Sequence, residues 1–202
     1  MKETTLEPAD PALEAWVQRA QAGEEAAQQF LVESYQRRLG GFVYGLISQS
    51  APVDDLCQAI FVKMVLSLPK LRETARFEPW LFRLARNHCL SYLRREKFRR
   101  LFFPLSETHH EVAAPPAPAA EPPEDLIRLR AALAAMPEKE RALLLLAQDR
   151  DGDYRQAAET LGLTVGAFKT RVHRARRALK ERMERMRKQE EADEDRRRNS
   201  LA

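Results

Sequence analysis

The chain has 202 residues, enough for one medium-sized domain or two small ones, and a formal net charge of +4. Hydrophobic residues make up 44% of the sequence, which suffices for a packed core. No long apolar run is present and the first residues are acidic and polar, so we expect neither a signal peptide nor insertion into a membrane. The two cysteines, Cys57 and Cys89, fit a reducing compartment, and we expect a cytoplasmic protein.

Residues 10–103 are predicted to form an all-helical first domain. Apolar residues recur there at intervals of three and four, and the alternation typical of β-strands is absent. The last helix of this domain, over residues 77–100, is amphipathic at its start and strongly basic at its end. Its aromatic residues Phe77, Trp80 and Phe82 have two interpretations: they belong to the core, which is the commoner case, or they stack on unpaired bases.

An alanine- and proline-rich segment, AAPPAPAAEPP at residues 113–123, separates the two halves of the chain. It can neither continue a helix nor build a core, so residues 104–123 are predicted to be an extended linker. Two further helices then lead into a second domain over residues 124–188. Residues 189–202 are charged and lack apolar spacing, and we expect a disordered tail there.

Residues 153–179 have the features of a helix-turn-helix. Asp153 is a candidate N-cap, and the first helix is expected to end at Leu161, where Gly162 supplies the backbone freedom of a tight turn. Thr164 is a second candidate N-cap and opens a longer helix. Two such helices joined by a glycine turn are an arrangement with which proteins enter a DNA groove.

The second helix of this motif divides into two faces. At 100° per residue one stripe is apolar and is expected to pack on the first helix; it comprises Val165, Phe168, Val172, Ala175 and Leu179. The opposite face and its flanks are small or basic; they comprise Gly166, Lys169, Thr170, Arg171, His173, Arg174, Arg176 and Arg177. Basic side chains so placed can reach phosphates or guanine, so the motif favours DNA binding over a merely solvated basic helix.

No pattern in the sequence indicates a catalytic or metal site. His88 and Cys89 are adjacent and therefore diverge by about 100° on a helix, which disfavours their sharing a metal ion. A glycine-rich phosphate loop and a nucleophile–base pattern are both absent from the sequence. We therefore expect no cofactor, no metal and no enzymatic activity of the chain itself.

Three stretches of the chain together resemble the extracytoplasmic-function (ECF) subfamily of bacterial sigma-70-type RNA polymerase sigma factors. They are VYGLISQSAPVDDLCQAIFVKMVLSLPKL, FEPWLFRLARNHCLSYLRREK and LTVGAFKTRVHRARRAL. The most specific parts are WLFRLARN at residues 80–87 and the glycine- and arginine-containing pattern at residues 165–176. The resemblance extends over residues 23–179, and it implies an all-α fold of two small domains, similar to sigma region 2 and sigma region 4.

The resemblance implies a subunit of RNA polymerase that directs initiation to specific promoters. The first domain would bind the polymerase clamp and would recognise and melt the −10 element. The second domain would read the −35 element and contact the polymerase flap, while the linker threads between them near the active-site channel. The implied partners are core RNA polymerase, promoter DNA and an anti-sigma factor.

The resemblance also implies which residues have each role. For the −35 element they are Thr164, Lys169, Thr170, Arg171, His173, Arg174 and Arg177. For the −10 element they are Arg72, Thr74, Arg76, Arg86 and Asn87, within and after a loop at residues 71–76. For the polymerase they are Asp54, Asp55, Gln58 and Phe61. Asp54 can equally cap a helix and Phe61 can equally belong to the core, and Ala59 stands where relatives commonly have an acidic residue.

Two other functions are compatible with the sequence. A free-standing helix-turn-helix regulator would bind operator DNA itself, with the first domain as a sensor or dimerisation module. In that case the basic helix at residues 80–100 would be an ordinary surface. An enzyme acting on nucleic acid is the third possibility, but no catalytic residue can be named for it. Gly40 and Gly41, inside a predicted long helix, have no functional explanation in the sequence.

Overall fold

The computed structural model describes residues 11–48, 53–102, 123–148 and 154–200. The first half contains α1 (Pro11–Gln21), α2 (Glu25–Ile47), α3 (Val53–Ser67) and α4 (Phe77–Phe102), with 3-10 turns at Leu68–Lys70 and Thr74–Arg76 between α3 and α4. The second half contains α5 (Glu124–Ala134), α6 (Glu138–Gln148), α7 (Arg155–Thr160) and α8 (Val165–Ser200). These described residues include no β-strand, and the prediction of an all-α fold is confirmed.

Helix α2 is the centre of the first half, and α1, α3 and α4 all pack against it. Its inward residues recur every three or four positions, so that Leu31, Leu39, Val43 and Leu46 are fully buried on one side. This stripe buries enough apolar surface to hold a bundle of four helices, since each fully buried leucine contributes about 1.5–3 kcal/mol.

The aromatic residues of α4 divide between the core and the surface. Phe77 packs edge-on against Tyr35 at a ring-centroid distance of 5.4 Å, and Phe82 packs edge-on against Phe42 at 5.5 Å. Both phenylalanines are buried and belong to the core, whereas Trp80 is half-buried. The second interpretation of the aromatic residues, stacking on bases, therefore applies to Trp80 alone among the three.

The helix-turn-helix of the second half has the local geometry that the sequence predicts. Helix α7 ends at Thr160, and Gly162 follows with φ +66°, a backbone conformation that glycine adopts without strain. The Thr164 hydroxyl accepts a hydrogen bond from the Ala167 N–H at 3.2 Å and so caps α8. Asp153, the other candidate cap, lies outside the described residues; α7 begins at Arg155.

The apolar stripe of α8 is buried as predicted. Phe168 has 0%, Val172 2% and Ala175 4% of its surface exposed, and all three belong to one hydrophobic cluster with Ala157 and Ala158 of α7. The opposite face of α8 is left free for another molecule.

Helix α8 continues to Ser200, and the prediction of a disordered tail from residue 189 is wrong for residues 189–200. Two kinds of contact support the helix there. Arg128 of α5 donates to the Glu190 carboxylate at 2.9 and 3.0 Å, and Arg187 pairs with Glu191 one turn later on α8 itself. Residues 201–202 and residues 103–122, which include all of the predicted linker except Pro123, lie outside the described part.

The two halves of the chain pack on each other, which the sequence did not indicate. Helix α6 lies on α2, and α7 lies on α4. Gly45 permits the first contact, because a Cβ at that position would come within 2.6 Å of Cδ2 of Leu145. The buried Arg141 guanidinium of α6 also donates to the Ser48 hydroxyl at 2.7 Å, at the end of α2.

Replacing Phe168 with aspartate should unfold the second half. The substitution leaves a cavity and buries a carboxylate, so we expect the free energy of unfolding to fall by at least about 3–5 kcal/mol in chemical denaturation. Arg171→Asp is the matched control, since Arg171 is exposed on the same helix. A Phe168→Asp protein as stable as that control would contradict the assignment of the buried face.

Candidate nucleic-acid and polymerase interfaces

The −35 candidates lie on the exposed face of α8, opposite the buried stripe. Lys169, Arg171, His173 and Arg174 are all exposed there, and Arg177 one turn further along lies 3.6 Å from the Glu181 carboxylate. A row of lysine and arginine side chains on one exposed helix face, with the first turn of the helix free of acidic side chains, can approach the phosphates and base edges of a major groove.

Two of the −35 candidates also have structural roles. The Thr164 hydroxyl is occupied as the N-cap of α8. The Thr170 hydroxyl donates to the Gly166 carbonyl at 3.0 Å, one turn back on the same helix. Of the two, Thr170 keeps its hydroxyl lone pairs free to accept a bond from a base, because it acts only as a donor in this contact.

The loop at residues 71–76, which we call the −10 loop, is held in place by α1. The Gln21 amide donates to the carbonyls of Leu68 and Leu71 at 3.0 and 2.7 Å. The Thr74 hydroxyl donates to the Glu14 carboxylate at 3.1 Å. Sequence reasoning did not single out Gln21 or Glu14, because nothing local connects them with a loop about 50–60 residues further along the chain.

Arg76, at the end of the −10 loop, lies between two carboxylates. Its Nε is 2.9 Å from Glu73, three residues earlier, and 3.1 Å from Glu159 of α7. Arg72 of the same loop is exposed. Both arginines of the loop are thus exposed, and Arg76 already has two acidic partners.

A cavity of about 410 Å³ opens between α3 and α4; we call it the basic cavity. None of the described residues that line it is acidic; they are Lys63, Trp80, Arg83, Leu84, Asn87, His88, Ser91, Tyr92 and Arg95. Cations beside an accessible indole are the combination that binds the phosphates and bases of a single strand. The cavity therefore suits an unpaired nucleotide.

The surroundings of His88 in this cavity favour its neutral form. Burial lowers the pKa of His88, and the nearby charges of Lys63 and Arg95 lower it further. The Lys63 ammonium lies 3.0 Å from Nδ1 of His88, and a neutral ring accepts this bond at Nδ1 and keeps its proton on Nε2. The pair leaves the cavity with Lys63 as a cation and His88 as a hydrogen-bond donor.

The two neighbouring −10 candidates on α4 have different surroundings. Asn87 is exposed and lines the basic cavity, whereas Arg86 is half-buried and does not line it. Arg86 donates from Nη1 to the Asn87 side-chain oxygen at 3.2 Å, and its buried Nε has no partner among the described residues. Burial lowers the pKa of Arg86. Arg86 is thus placed to orient Asn87 rather than to contact the cavity itself.

The polymerase candidates border a groove of about 810 Å³ between α2 and α3, which we call the α3 groove. Asp54, Gln58 and Phe61 line it together with the exposed apolar residues Val62 and Leu66, whose surfaces are 54% and 73% exposed. Asp55 is exposed on α3 but does not line the groove. A groove with an apolar floor and a polar rim is a common form of a protein–protein interface.

Asp54 and Phe61 each have a structural position as well as a place at the α3 groove. Asp54 lies in the first turn of α3, where its charge favours the helix, and it also lines the α3 groove. Phe61 packs against the core and lines the same groove. Gly40 lines the groove from α2, and a Cβ there would meet no atom within 4 Å.

Neither cysteine is a reactive thiol. Burial raises the pKa of Cys57 to about 11 and that of Cys89 to about 12, so both are protonated near neutral pH. No described helix is both long enough and apolar enough to cross a membrane.

A helix-turn-helix beside a helical domain with a basic, aromatic-lined cavity is an arrangement typical of DNA-binding proteins. The profile of the Sigma-70 region 2 family matches residues 31–99, and that of the Sigma-70 region 4 family matches residues 126–179. The chain belongs to the sigma-70 family of RNA polymerase sigma factors and is of the ECF type. This membership does not favour the alternative of a free-standing regulator.

Named relatives agree with this membership. The chain is 25% identical to RNA polymerase sigma factor SigZ of Bacillus subtilis over 76% of this chain and 85% of that protein. It is 29% identical to ECF RNA polymerase sigma factor SigE of Mycolicibacterium smegmatis over 75% of this chain and 59% of that protein. A solved structure of the sigma factor RpoE with the anti-sigma factor NepR from Bartonella quintana superposes with a TM-score of 0.59, at 25% identity, over 77% of this chain and 96% of that one.

Proposed function

We propose that the chain binds core RNA polymerase and directs promoter-specific initiation, as a non-enzymatic cytoplasmic subunit. Its first half would read and open the −10 element and its second half would read the −35 element. The observation that carries this proposal is the presence, in one chain, of an exposed basic face on the second helix of a helix-turn-helix and of a separate basic cavity between α3 and α4.

The −35 role rests on the shape and charge of α8. The helix begins with small residues and is capped by Thr164, so its first turns can enter a major groove without a bulky obstruction. Lys169 and Arg174 then follow on the exposed face. Arginine binds guanine by two parallel hydrogen bonds, and lysine contacts phosphate as a point charge.

The −10 role rests on the basic cavity and the −10 loop. Separating a base pair costs stacking and pairing energy, and an extruded base held by a protein recovers part of it. Trp80 offers an accessible ring for stacking, Asn87 offers an amide for a base edge, and Lys63 and Arg95 offer charge for phosphates. The −10 loop precedes this helix and would border the extruded base.

Binding to the polymerase rests on the α3 groove. Val62 and Leu66 are large apolar side chains that the described part of the chain leaves mostly exposed, and Asp54 and Gln58 flank them. Exposed apolar surface of this kind is typical of a protein-binding site. The region 4 half would contact the flap.

We also propose control by an anti-sigma factor. The support is the Bartonella RpoE structure, in which a sigma factor of similar fold is bound to the anti-sigma factor NepR. The chain has two separated surfaces that such a protein could cover, the α3 groove and the exposed face of α8.

Initiation by reconstituted polymerase tests the proposed function. The full chain and core polymerase are incubated with genomic DNA fragments, and the 5′ ends of the transcripts are sequenced. We expect new start sites that share −10 and −35 elements and that require the chain. A chain that binds fragments as a stable dimer without polymerase, and that never supports initiation, would instead be a free-standing regulator.

Replacing Arg174 with alanine should weaken recognition of the −35 element. If Arg174 reads a base edge, the loss is about 1–3 kcal/mol, and preference at one base pair relaxes. The measurement is initiation from promoters with each base at each −35 position, with Arg187→Ala as a control on an exposed part of α8 beyond the helix-turn-helix. Unchanged selectivity and activity would remove Arg174 from the base-reading set.

The −10 loop and α3 should fail at different steps. Thr74→Ala with Arg76→Ala should slow promoter opening but leave polymerase binding intact, because an extruded base exists only after the duplex separates. The defect should shrink on a template already mismatched across the −10 region. Asp55→Ala with Gln58→Ala should weaken polymerase binding equally on both templates. Initiation is measured on both templates for both variants.

Glu14→Ala provides the control for the loop. It removes the acceptor of the Thr74 hydroxyl bond without altering the loop sequence. If Glu14→Ala reproduces the whole defect, the contribution of Thr74 is structural. A loop variant that is equally impaired on duplex and mismatched templates would show that the loop is not a melting element, and the −10 assignment would move along α4.

A further inference from the structure

Helix α7 of the helix-turn-helix is attached to the −10 half by two arginines. Arg83 of α4 donates from Nε to the Thr160 carbonyl at 3.1 Å and from Nη2 to the Glu159 carbonyl at 2.5 Å. Arg76 pairs through Nε with the Glu159 carboxylate at 3.1 Å. Glu159 therefore binds both guanidinium groups, one through its main chain and one through its side chain.

These contacts occupy donors that belong to the −10 surface. Arg83 lines the basic cavity together with Asn87, and Arg76 lies at the end of the −10 loop. The carbonyl oxygens at the end of a helix are partly negative and attract cations as a phosphate oxygen does, and that of Glu159 also accepts the Gly162 N–H at 3.0 Å. A guanidinium held by such oxygens has fewer donors left for DNA.

The docked arrangement cannot read both promoter elements at once. Elements centred at −10 and −35 lie about 25 base pairs apart, which is about 85 Å of duplex at about 3.4 Å per base pair. A contact at hydrogen-bond distance between α4 and α7 keeps the two reading surfaces much closer than that. The 20 residues from 103 to 122 can span at most about 70 Å, enough to let the halves separate.

We propose that Arg76 and Arg83 exchange ligands: they bind oxygens of α7 in the free chain and phosphodiester oxygens of the displaced promoter strand in the initiation complex. The contact with α7 is then a latch that keeps these N–H donors from the strand until the halves separate. This inference rests on the proposed function, because it takes the basic cavity and the −10 loop as the single-strand site. It adds Arg83 to the DNA-binding residues.

The seam between α2 and α6 allows the latch to be opened without altering any charged residue. Gly45 faces Leu145 of α6, and a Cβ at residue 45 would come within 2.6 Å of Cδ2 and 3.1 Å of Cδ1 of that leucine. Valine at residue 45 therefore requires the Leu145 side chain to move, and because valine adds two further methyl groups at this seam we expect α6 to move away from α2. Gly41→Val is the matched control on the same helix, because a Cβ at residue 41 meets no atom within 4 Å.

Two measurements on the full chain test the latch. Small-angle X-ray scattering should give a larger radius of gyration for Gly45→Val than for Gly41→Val and the unaltered chain. Fluorescence anisotropy then measures binding to a short single-stranded oligonucleotide of mixed sequence as a function of salt. Each arginine freed for phosphate should steepen the slope of log affinity against log salt by about 0.7, so Gly45→Val should steepen it by about 1.4.

Removing the arginines in the open protein identifies the ligands. In the Gly45→Val background, Arg83→Ala and Arg76→Ala should each reverse about half of the gain in slope. A larger radius with an unchanged slope would show that the arginines do not bind the strand. An unchanged radius for a folded Gly45→Val protein would show that Leu145 turns aside and the halves stay docked, and the decision then rests on the second pair of variants.

A second pair of variants covers the case in which Gly45→Val does not fold. Glu159→Gln removes the carboxylate that pairs with Arg76, and Glu184→Gln removes one exposed carboxylate elsewhere in the same half. Only Glu159→Gln should steepen the salt slope; equal slopes for the two would refute the latch. Initiation by the unaltered chain is measured in parallel: if it initiates while these variants change nothing, the latch fails and the proposed function stands.

Discussion

The packing of α6 against the end of α2 is the contact on which the arrangement of the two halves depends. Gly45 allows Leu145 to approach the α2 backbone. Arg141 forms a hydrogen bond across the same contact. The buried Arg141 guanidinium lies between the Ser48 hydroxyl and the Ala134 carbonyl, at the ends of α2 and α5. Burial lowers the pKa of Arg141, and a buried cation without such oxygens would be strongly unfavourable. The position of this one charge therefore joins the ends of α2 and α5 to α6.

The features that the sequence predicts well are those in which cause and effect lie within one or two turns of helix. The helix-turn-helix depends on three local features, and all three behave as predicted. The turn is made by Gly162, the second helix is capped by Thr164, and its buried stripe runs through Phe168. The contact of Arg141 with Ser48 joins residues 93 positions apart, and no local pattern reports it. The helix over residues 189–200 was not predicted for a related reason. The high charge of this segment is typical of disorder, but Arg128, far away in sequence, binds Glu190 there.

At the candidate −10 site the sequence motif identifies the correct helix but not which of its residues line the basic cavity. The sequence joined Arg86 and Asn87 because they are neighbours in the motif, but neighbours on a helix diverge by about 100°, and only Asn87 reaches the basic cavity. The spacing of residues in the sequence did indicate the α4 side of this cavity. One face of α4 carries, at intervals of three or four residues, Trp80, Arg83, Asn87 and Ser91. The part that α3 contributes, Lys63, could be assigned only from the packing of α3 on α4.

The distribution of bound and exposed cations implies an order of events in the proposed mechanism. The cations of α8 that would meet duplex DNA, such as Arg174, are exposed in the folded chain, so the −35 element can be contacted without any rearrangement. Arg76 and Arg83, which would meet an opened strand, are also exposed, but part of each guanidinium is bound to α7. A single strand exists only after the duplex has separated, and the full set of donors of both arginines becomes available only after the halves have separated. Capture of the strand therefore follows separation of the halves. The contacts that stabilise the docked chain also lower its affinity for single-stranded DNA until the promoter has opened.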